Sequence, residues 1–320
     1  MMTIARRHQV DTTITPYYHC VSRCVRRSFL CGVDAVSGKN FEHRREWVEK
    51  RILYLAEIYC IDICAYAVMS NHYHLVVHIN EAKAAELSGV EVIERWGKHH
   101  HLHPLAQRYL NGDITTKSEN VAANKLIEEW RKRLASLSWM MKELNMAIAK
   151  QANTEDECTG HFWEGRFKSQ ALLDEKALLA AMTYVDLSPV RANAASTPEE
   201  SEHTSLKLRL SALENQQPTP SSLFPFVGGE QTDRKDGIPF RLMDYIEWVD
   251  WVGKHHYSEG RYSVDQTLPP LLARLSDNQR EFLDLCTCIE QRRCLWVGPK
   301  EQLLQAKQQL NKQRIHGVVC

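Results

Sequence analysis

The chain has 320 residues, of which 43% are hydrophobic, so it is long and apolar enough for one large domain or two smaller ones. Its 40 basic and 40 acidic residues balance, which excludes binding of nucleic acid through net charge alone and leaves only local basic faces for that purpose. The start of the chain lacks the apolar core of a signal peptide, and Glu57 and Asp62 interrupt its most apolar stretch. We therefore expect a cytoplasmic protein with no membrane span and with reduced thiols.

The first 80 residues predict strands and one helix. A β-type run follows Pro16, an apolar stripe at helical spacing comes next, and two short apolar runs are separated by the turn Ser70-Asn71. These patterns predict a strand at 17–25, a helix at 41–59, and strands at 61–69 and 72–79.

The next hundred residues begin with a polar stretch at 81–120, which predicts an exposed loop rich in histidine. A continuous helical pattern then predicts one helix over 122–151, and a short apolar run predicts a strand at 166–173. Asp174 is a typical N-cap for a helix from 175 to about 187, which Pro189 ends.

This element order, β-α-β-β-α-β followed by a helix, predicts an α+β fold. It is the order of a ferredoxin-like sandwich, with helices on one face of an antiparallel sheet. Beyond residue 195 the composition resembles linkers at 196–201 and 216–222. Helical patterns follow at 240–252, 277–292 and 299–314. We therefore predict a first domain at 1–195 and a mainly helical C-terminal region at 196–320.

Two histidines separated by one residue lie at the head of the 72–79 strand. Alternate side chains of a strand share a face, so His72 and His74 point the same way and could hold a divalent metal ion. The same spacing recurs at His99/His101 and His101/His103. Those histidines lie in the polar stretch, where the backbone is not fixed by a sheet.

Four segments resemble one known family. The segment 71–74 resembles the HUH motif of single-tyrosine transposases, and the chain is most similar to their REP-associated tyrosine transposase group. The matching segments are YYHCVSR at 17–23, AVMSNHYH at 67–74, GHFWEGRFKS at 160–169 and YVDLSPVRA at 184–192. They occur in the family's order and together span about residues 1–195.

The resemblance implies a metal-assisted reaction on DNA. It implies that Tyr184 attacks a phosphate of single-stranded DNA and forms a 5′-phosphotyrosine link, with Mg²⁺ or Mn²⁺ held by His72 and His74. The family places a third metal ligand four residues after the tyrosine, usually an amide. This chain has Ser188 there, which acts either as a weaker ligand or as the end of the helix. The implied partner is hairpin-bearing single-stranded DNA, and related enzymes often act as homodimers.

Basic residues near the matching segments are candidates for phosphate contacts, with structural ion pairs as the alternative. They are Arg23, Arg166, Lys168 and Arg191. Phe162 and Trp163 could stack on unpaired bases, but core packing is favoured. His19 lies on the strand expected beside the metal strand, where it could support a metal ligand or form part of the core, and the core is favoured.

Three other hypotheses remain open from the residues alone. A protein of transposase descent could bind DNA without cutting it, as the serine at 188 indicates. An unrelated metal-dependent hydrolase could use the histidines at 99–103. A zinc site could form from the pairs Cys20/Cys24 and Cys60/Cys64, although buried thiols are the default for such apolar runs.

Overall fold

The computed structural model describes residues 9–25, 30–34, 38–228, 236–257, 269, 271, 279–291, 294–312 and 314–318. Within these ranges the chain forms twelve helices and six strands. In chain order they are β1 Tyr17–Arg23, α1 His43–Ile58, β2 Ile61–Val68, β3 His72–Ile79, α2 Glu81–Glu86, α3 Gly89–Gly97, α4 Pro104–Leu110, α5 Lys117–Leu134, α6 Leu137–Glu155, β4 Lys168–Leu172, α7 Glu175–Asp186, α8 Ser188–Arg191, α9 Ser205–Glu214, α10 Leu242–Tyr257, α11 Gln279–Cys288, β5 Trp296–Val297, α12 Lys300–Gln309 and β6 Gly317–Val318.

The six strands form one mixed sheet in the order β2-β3-β1-β4-β5-β6. The pairs among the first four strands are antiparallel, as predicted. The last two strands add in parallel, so the prediction of a purely antiparallel sheet is wrong. The cause is the edge of β4, whose backbone N–H groups at Ala171 and Leu173 donate to the carbonyls of Leu295 and Val297. An edge strand with free donors accepts such an addition.

Successive side chains of β3 point to opposite faces of the sheet, and each face packs in its own core. Tyr73, Leu75 and Val77 pack in a core with α1, α5 and α6, whereas Val76 packs in a second core with α7, α10 and α11. His72 and His74 share the face of Val76 because side chains two residues apart point the same way. Helices therefore cover both faces of the sheet, and not one face as the sequence predicted.

The stretch 81–120 is helical rather than a loop. Capping boxes start two of its helices: Ser88 with Glu91 begins α3, and Thr116 with Glu119 begins α5. The helix predicted at 122–151 is two helices, because the Leu134 carbonyl accepts a hydrogen bond from Cys60 instead of continuing the helix.

The helix α7 is buried along almost its whole length. Asp174 caps it by accepting a hydrogen bond from the Ala177 N–H, and its residues from Ala177 to Asp186 are all buried. It can be apolar all round because the sheet lies on one side and α11 on the other. The indole of Trp248 on α10 donates to Thr183 Oγ1 at 2.8 Å and fixes the helix at the turn that carries Tyr184.

Helices predicted in the C-terminal third are confirmed as α10, α11 and α12. Positions 277, 278, 292 and 313 of those predictions lie outside the described residues. Among the described helices, none combines the length and apolar character needed to cross a bilayer.

Candidate functional site

Two imidazoles and one carboxylate converge on the face of the sheet that α7 covers. The Nε2 atoms of His72 and His74 lie 2.9 Å apart. The carboxylate of Glu290, just beyond α11, belongs to the same group, in which all ligand atoms lie within 4.8 Å of one another. Within the ranges that the structure describes, this is the group of three side chains with the spacing of a metal site.

Tyr184 lies directly beside this group. Its hydroxyl donates to Glu290 Oε2 at 3.2 Å, and its ring packs edge-on against the rings of His74 and His19, with centroids 5.6 and 6.0 Å away. Only 5% of the residue is exposed. Burial raises the pKa of Tyr184 to about 12, against the opposing effect of Arg191. The phenol is therefore protonated near neutral pH.

Arg191 holds the end of the tyrosine helix. Its guanidinium lies 3.5 Å from the centre of the Tyr184 ring, and its Nη1 donates to the Tyr184 carbonyl at 2.9 Å. Its Nη2 donates to Ser188 Oγ at 2.8 Å, and that hydroxyl donates to the Tyr184 carbonyl, also at 2.8 Å. Ser188 therefore serves the helix end in this structure, and its role as a metal ligand stays a prediction.

Arg23 reaches the same carboxylate from β1. Its Nη2 lies 3.3 Å from Glu290 Oε1, and 37% of its side chain is exposed. Its Nε is buried and has no hydrogen-bond partner among the described residues. The exposed part of the Arg23 side chain lies beside Glu290, where it is available to an anionic group such as a phosphate.

The imidazoles of the site are neutral. Burial lowers the pKa of His74 well below its ordinary value, and the neighbouring imidazoles and arginines lower it further. Burial and the charge of Arg23 lower the pKa of His72 in the same direction. Neutral imidazole is the form that binds metal ions, because its free nitrogen carries a lone pair.

The donor set fits a divalent cation. Adjacent ligands of an octahedral ion at about 2.1 Å lie about 3 Å apart, which matches the 2.9 Å between the two Nε2 atoms. Imidazole nitrogen is a borderline ligand and carboxylate oxygen a hard one, and Mn²⁺ accepts both kinds. The residues that would hold the ion are His72, His74 and Glu290.

Two of the predicted basic residues lie outside this contact network. Arg166 and Lys168 are exposed. Lys168 pairs with Val21, which pairs with His74, so the three residues form one row across the sheet and share a face. Two strand spacings place the Lys168 backbone about 10 Å from that of His74. Lys168 is thus positioned to contact a long ligand that also reaches the histidines.

The aromatic segment packs into the protein. Phe162 is buried, and the Trp163 indole N–H donates to the Asn145 carbonyl at 2.8 Å while its ring contacts Tyr73. These rings support the strand that carries the histidines, in line with the favoured prediction of core packing.

The other proposed metal clusters do not form among the described residues. His99 Nε2 lies 2.7 Å from an Arg51 nitrogen and so accepts its hydrogen bond, and His103 caps α4. Glu143 contacts His99, but these groups do not reach the spacing of a metal site. None of the described cysteines joins a group of three ligands within that spacing.

Glu290 is the residue of this site that the sequence analysis missed. It lies 216 positions after His74, just beyond an ordinary amphipathic helix, so no local pattern distinguishes it. His19 is fully buried, as the favoured prediction had it, and it also contacts His74 directly, while Gln170 on β4 contacts His19. The residue pattern within one strand could not decide whether this contact forms, because the contact depends on the register between three strands.

No protein-family model matches the chain. No curated protein matches it either. Among solved structures, the chain is similar to a REP-associated tyrosine transposase bound to a REP hairpin. The TM-score is 0.38 and the identity 12%, over 75% of this chain and 99% of that chain. This low similarity supports no conclusion about function, and the observation that bears on function is the geometry of the chain's own site.

Proposed function

We propose that the protein nicks and rejoins single-stranded DNA through a covalent link to Tyr184, as a metal-dependent transposase does. The observation that carries this proposal is the convergence on Glu290. One carboxylate contacts the tyrosine hydroxyl at 3.2 Å and also belongs to the metal-type group with His72 and His74. A nucleophilic hydroxyl beside a cation site is the arrangement that phosphodiester transesterification needs.

The sheet supports the same proposal. The first four strands follow the order β2-β3-β1-β4 with antiparallel neighbours, and α1 connects β1 to β2. We infer a ferredoxin-like core from this order, since it is that of the split βαβ unit. In that core the two histidines lie on a central strand, which holds them rigidly.

The proposed reaction transfers a phosphodiester bond from a 3′-oxygen of the DNA to the oxygen of Tyr184. Tyr184 loses its proton and its oxygen attacks the phosphorus, the bond from phosphorus to the 3′-oxygen breaks, and the departing oxygen takes up a proton. The product is a 5′-phosphotyrosine and a free 3′-hydroxyl. A 3′-hydroxyl of another strand reverses these steps and releases the tyrosine, so no external energy source is needed.

Positive groups at the site match the charge of this reaction. A bound Mg²⁺ or Mn²⁺ would neutralise charge on the non-bridging phosphate oxygens and orient the phosphate. Arg23, whose side chain is partly exposed beside Glu290, would contact the same oxygens. Arg191 lies against the Tyr184 ring, where its charge favours the phenolate over the phenol.

A DNA-binding protein that no longer cuts is the second candidate. Two observations favour it: Tyr184 is nearly fully buried, and the Ser188 hydroxyl donates to the Tyr184 carbonyl at the helix end. This candidate keeps the basic surface around Arg166 and Lys168 and loses only the covalent step. The two candidates differ in one product, the protein–DNA adduct.

The experiment is incubation of the purified full chain with short hairpin-bearing single-stranded DNA and Mn²⁺, followed by a denaturing gel. We expect a covalent adduct from the wild type and none from Tyr184→Phe, which should still bind the DNA. The matched control is Tyr17→Phe, because Tyr17 lies on the same face of the sheet with its ring on His78. That control should form the adduct at the wild-type level.

An adduct formed by Tyr184→Phe would refute the assignment of the nucleophile. Binding without an adduct in the wild type, with and without Mn²⁺, would establish the non-cutting candidate instead. The sequence-based expectation of a homodimer stays a prediction.

A further inference from the structure

A buried chain of hydrogen bonds leads away from His74 on the side opposite the metal-type group. His74 Nδ1 lies 3.1 Å from His19 Nε2, and His19 Nδ1 lies 2.8 Å from Gln170 Oε1. Gln170 Nε2 lies 3.2 Å from the Ile289 carbonyl and 3.0 Å from the Cys294 carbonyl. His74, His19 and Gln170 are all buried, so water does not compete for these groups.

The chemistry of these groups fixes the direction of the whole chain. Two carbonyl oxygens can only accept, so the Gln170 atom that faces them must be the amide nitrogen, and its oxygen must face His19. An amide oxygen also only accepts, so His19 Nδ1 carries the hydrogen. His19 is fully buried and its hydrogen-bond partners are an amide and another imidazole, so it is a neutral imidazole with one N–H. His19 Nε2 therefore accepts, and His74 Nδ1 must donate to it.

This direction leaves the metal-facing nitrogen of His74 without a hydrogen. On the neighbouring residue, Asn71 Oδ1 lies 2.6 Å from His72 Nδ1, which places the hydrogen of His72 on that nitrogen as well. The two Nε2 atoms thus face each other at 2.9 Å as two lone pairs. Two acceptors at this distance repel each other, and a shared cation removes the repulsion.

We propose that His19 and Gln170 are positioning residues that hold His74 in the tautomer whose Nε2 lone pair faces His72 and Glu290. The proposal deepens the metal-dependent function proposed above and rests on it. Metal-bound histidines commonly donate their second N–H to such a partner, which orients the ring and makes it a better ligand. Here that partner is another histidine, whose own direction is set by Gln170.

The hydrogen-bond chain from His74 through His19 to Gln170, here called the relay, ends on two carbonyls that anchor it. These carbonyls belong to the segment that carries Glu290. The Ile289 and Cys294 carbonyls lie on either side of Glu290 in the sequence. Docking of that segment therefore brings the carboxylate to the site and fixes the tautomer of His74 at the same time. A site assembled in this way binds a metal ion only when the C-terminal segment is in place.

The test compares two substitutions of His19 in the full chain. His19→Met removes the acceptor, whereas His19→Gln keeps an amide oxygen near the position of Nε2. His78→Met is the matched control, since His78 lies on the same face of β3 but hydrogen-bonds Asp62. The dissociation constant for Mn²⁺ is measured from the EPR signal of the free ion, and thermal unfolding is recorded for each variant.

We expect His19→Met to weaken Mn²⁺ binding about 10- to 100-fold, the usual effect of losing such a partner. His19→Gln should recover most of that loss, and His78→Met should bind like the wild type. Wild-type affinity in His19→Met would overturn the proposal. So would an equal loss in His19→Gln and His19→Met, because it would reduce His19 to a packing residue.

A second measurement needs neither a variant nor a metal ion. Long-range proton–nitrogen NMR correlations of the metal-free wild type report which nitrogen of His74 carries the hydrogen. We expect the hydrogen on Nδ1, and a hydrogen on Nε2 would overturn the relay. If the wild type binds no Mn²⁺, the proposed metal-dependent function fails, while the NMR tautomer still decides whether the relay exists.

Discussion

Asp186 sets a pH dependence of stability that one substitution can isolate. It lies two residues after Tyr184 and is buried. Its Oδ1 accepts from Ser205 Oγ at 2.7 Å and from the Leu206 N–H at 3.3 Å, and its Oδ2 accepts from the Tyr245 hydroxyl at 2.6 Å. Burial outweighs these three donors and raises the pKa of Asp186 to about 6.

The magnitude follows from the difference between the folded and unfolded pKa. The ordinary value is 3.8, so the rise to about 6 corresponds to roughly 3 kcal/mol of unfolding free energy. Because the folded pKa is the higher one, this stabilisation is fully present below about pH 4 and is lost as the pH rises through about 6. Asp186→Asn keeps the shape of the side chain and resembles the protonated acid. The variant should therefore keep this stabilisation as the pH rises.

The assay is chemical denaturation of the wild type and Asp186→Asn between pH 4 and pH 7. We expect the variant to gain roughly 3 kcal/mol relative to the wild type across this range. Asp113→Asn is the control, because Asp113 is exposed and its substitution should leave the curve unchanged. Parallel curves for the wild type and Asp186→Asn would show that the buried carboxyl does not titrate in this window, which would refute the argument.

The remaining predictions concern the site and its surface. Glu290→Gln keeps the size of the side chain but removes its charge, so we expect the Mn²⁺ dissociation constant to rise at least about tenfold by EPR. Ser188→Ala should change that constant far less, and an equal loss would make the serine a ligand. Arg166→Ala and Lys168→Ala should each weaken single-stranded DNA binding and reduce the slope of log affinity against log salt by about 0.7 in anisotropy titrations. Unchanged slopes would place the DNA elsewhere.

The strands were predictable because the sheet imposes a period of two. Along β3, Tyr73, Leu75 and Val77 alternate with His72 and His74, and a shift of one residue would bury the imidazoles in the wrong core. The predicted convergence of the histidine pair with Tyr184 came from the family resemblance of four segments within residues 17–192. The ring contacts of His74 with Tyr184 agree with that convergence.

Other features depend on distant contacts that a local pattern does not contain. The helix predicted at 122–151 divides because Cys60 takes the Leu134 carbonyl, a contact across 74 positions. The strands β5 and β6 have two residues each, too few for any periodicity. The helices at 81–120 are different, since the capping boxes Ser88/Glu91 and Thr116/Glu119 were readable signals in a stretch whose polarity favoured a loop.

The C-terminal third completes the site rather than merely following it. Glu290 supplies the carboxylate, and the Ile289 and Cys294 carbonyls anchor Gln170. Tyr245 on α10 donates to Asp186 at the end of the helix that carries the tyrosine. The domain boundary at 195 stays a prediction. A chain ending there would nevertheless lack a metal-type ligand, the anchor of the His74 tautomer and the strand that pairs with β4. Since the first two losses act on the side chains of the site, chemistry at Tyr184 should require the C-terminal segment to be docked.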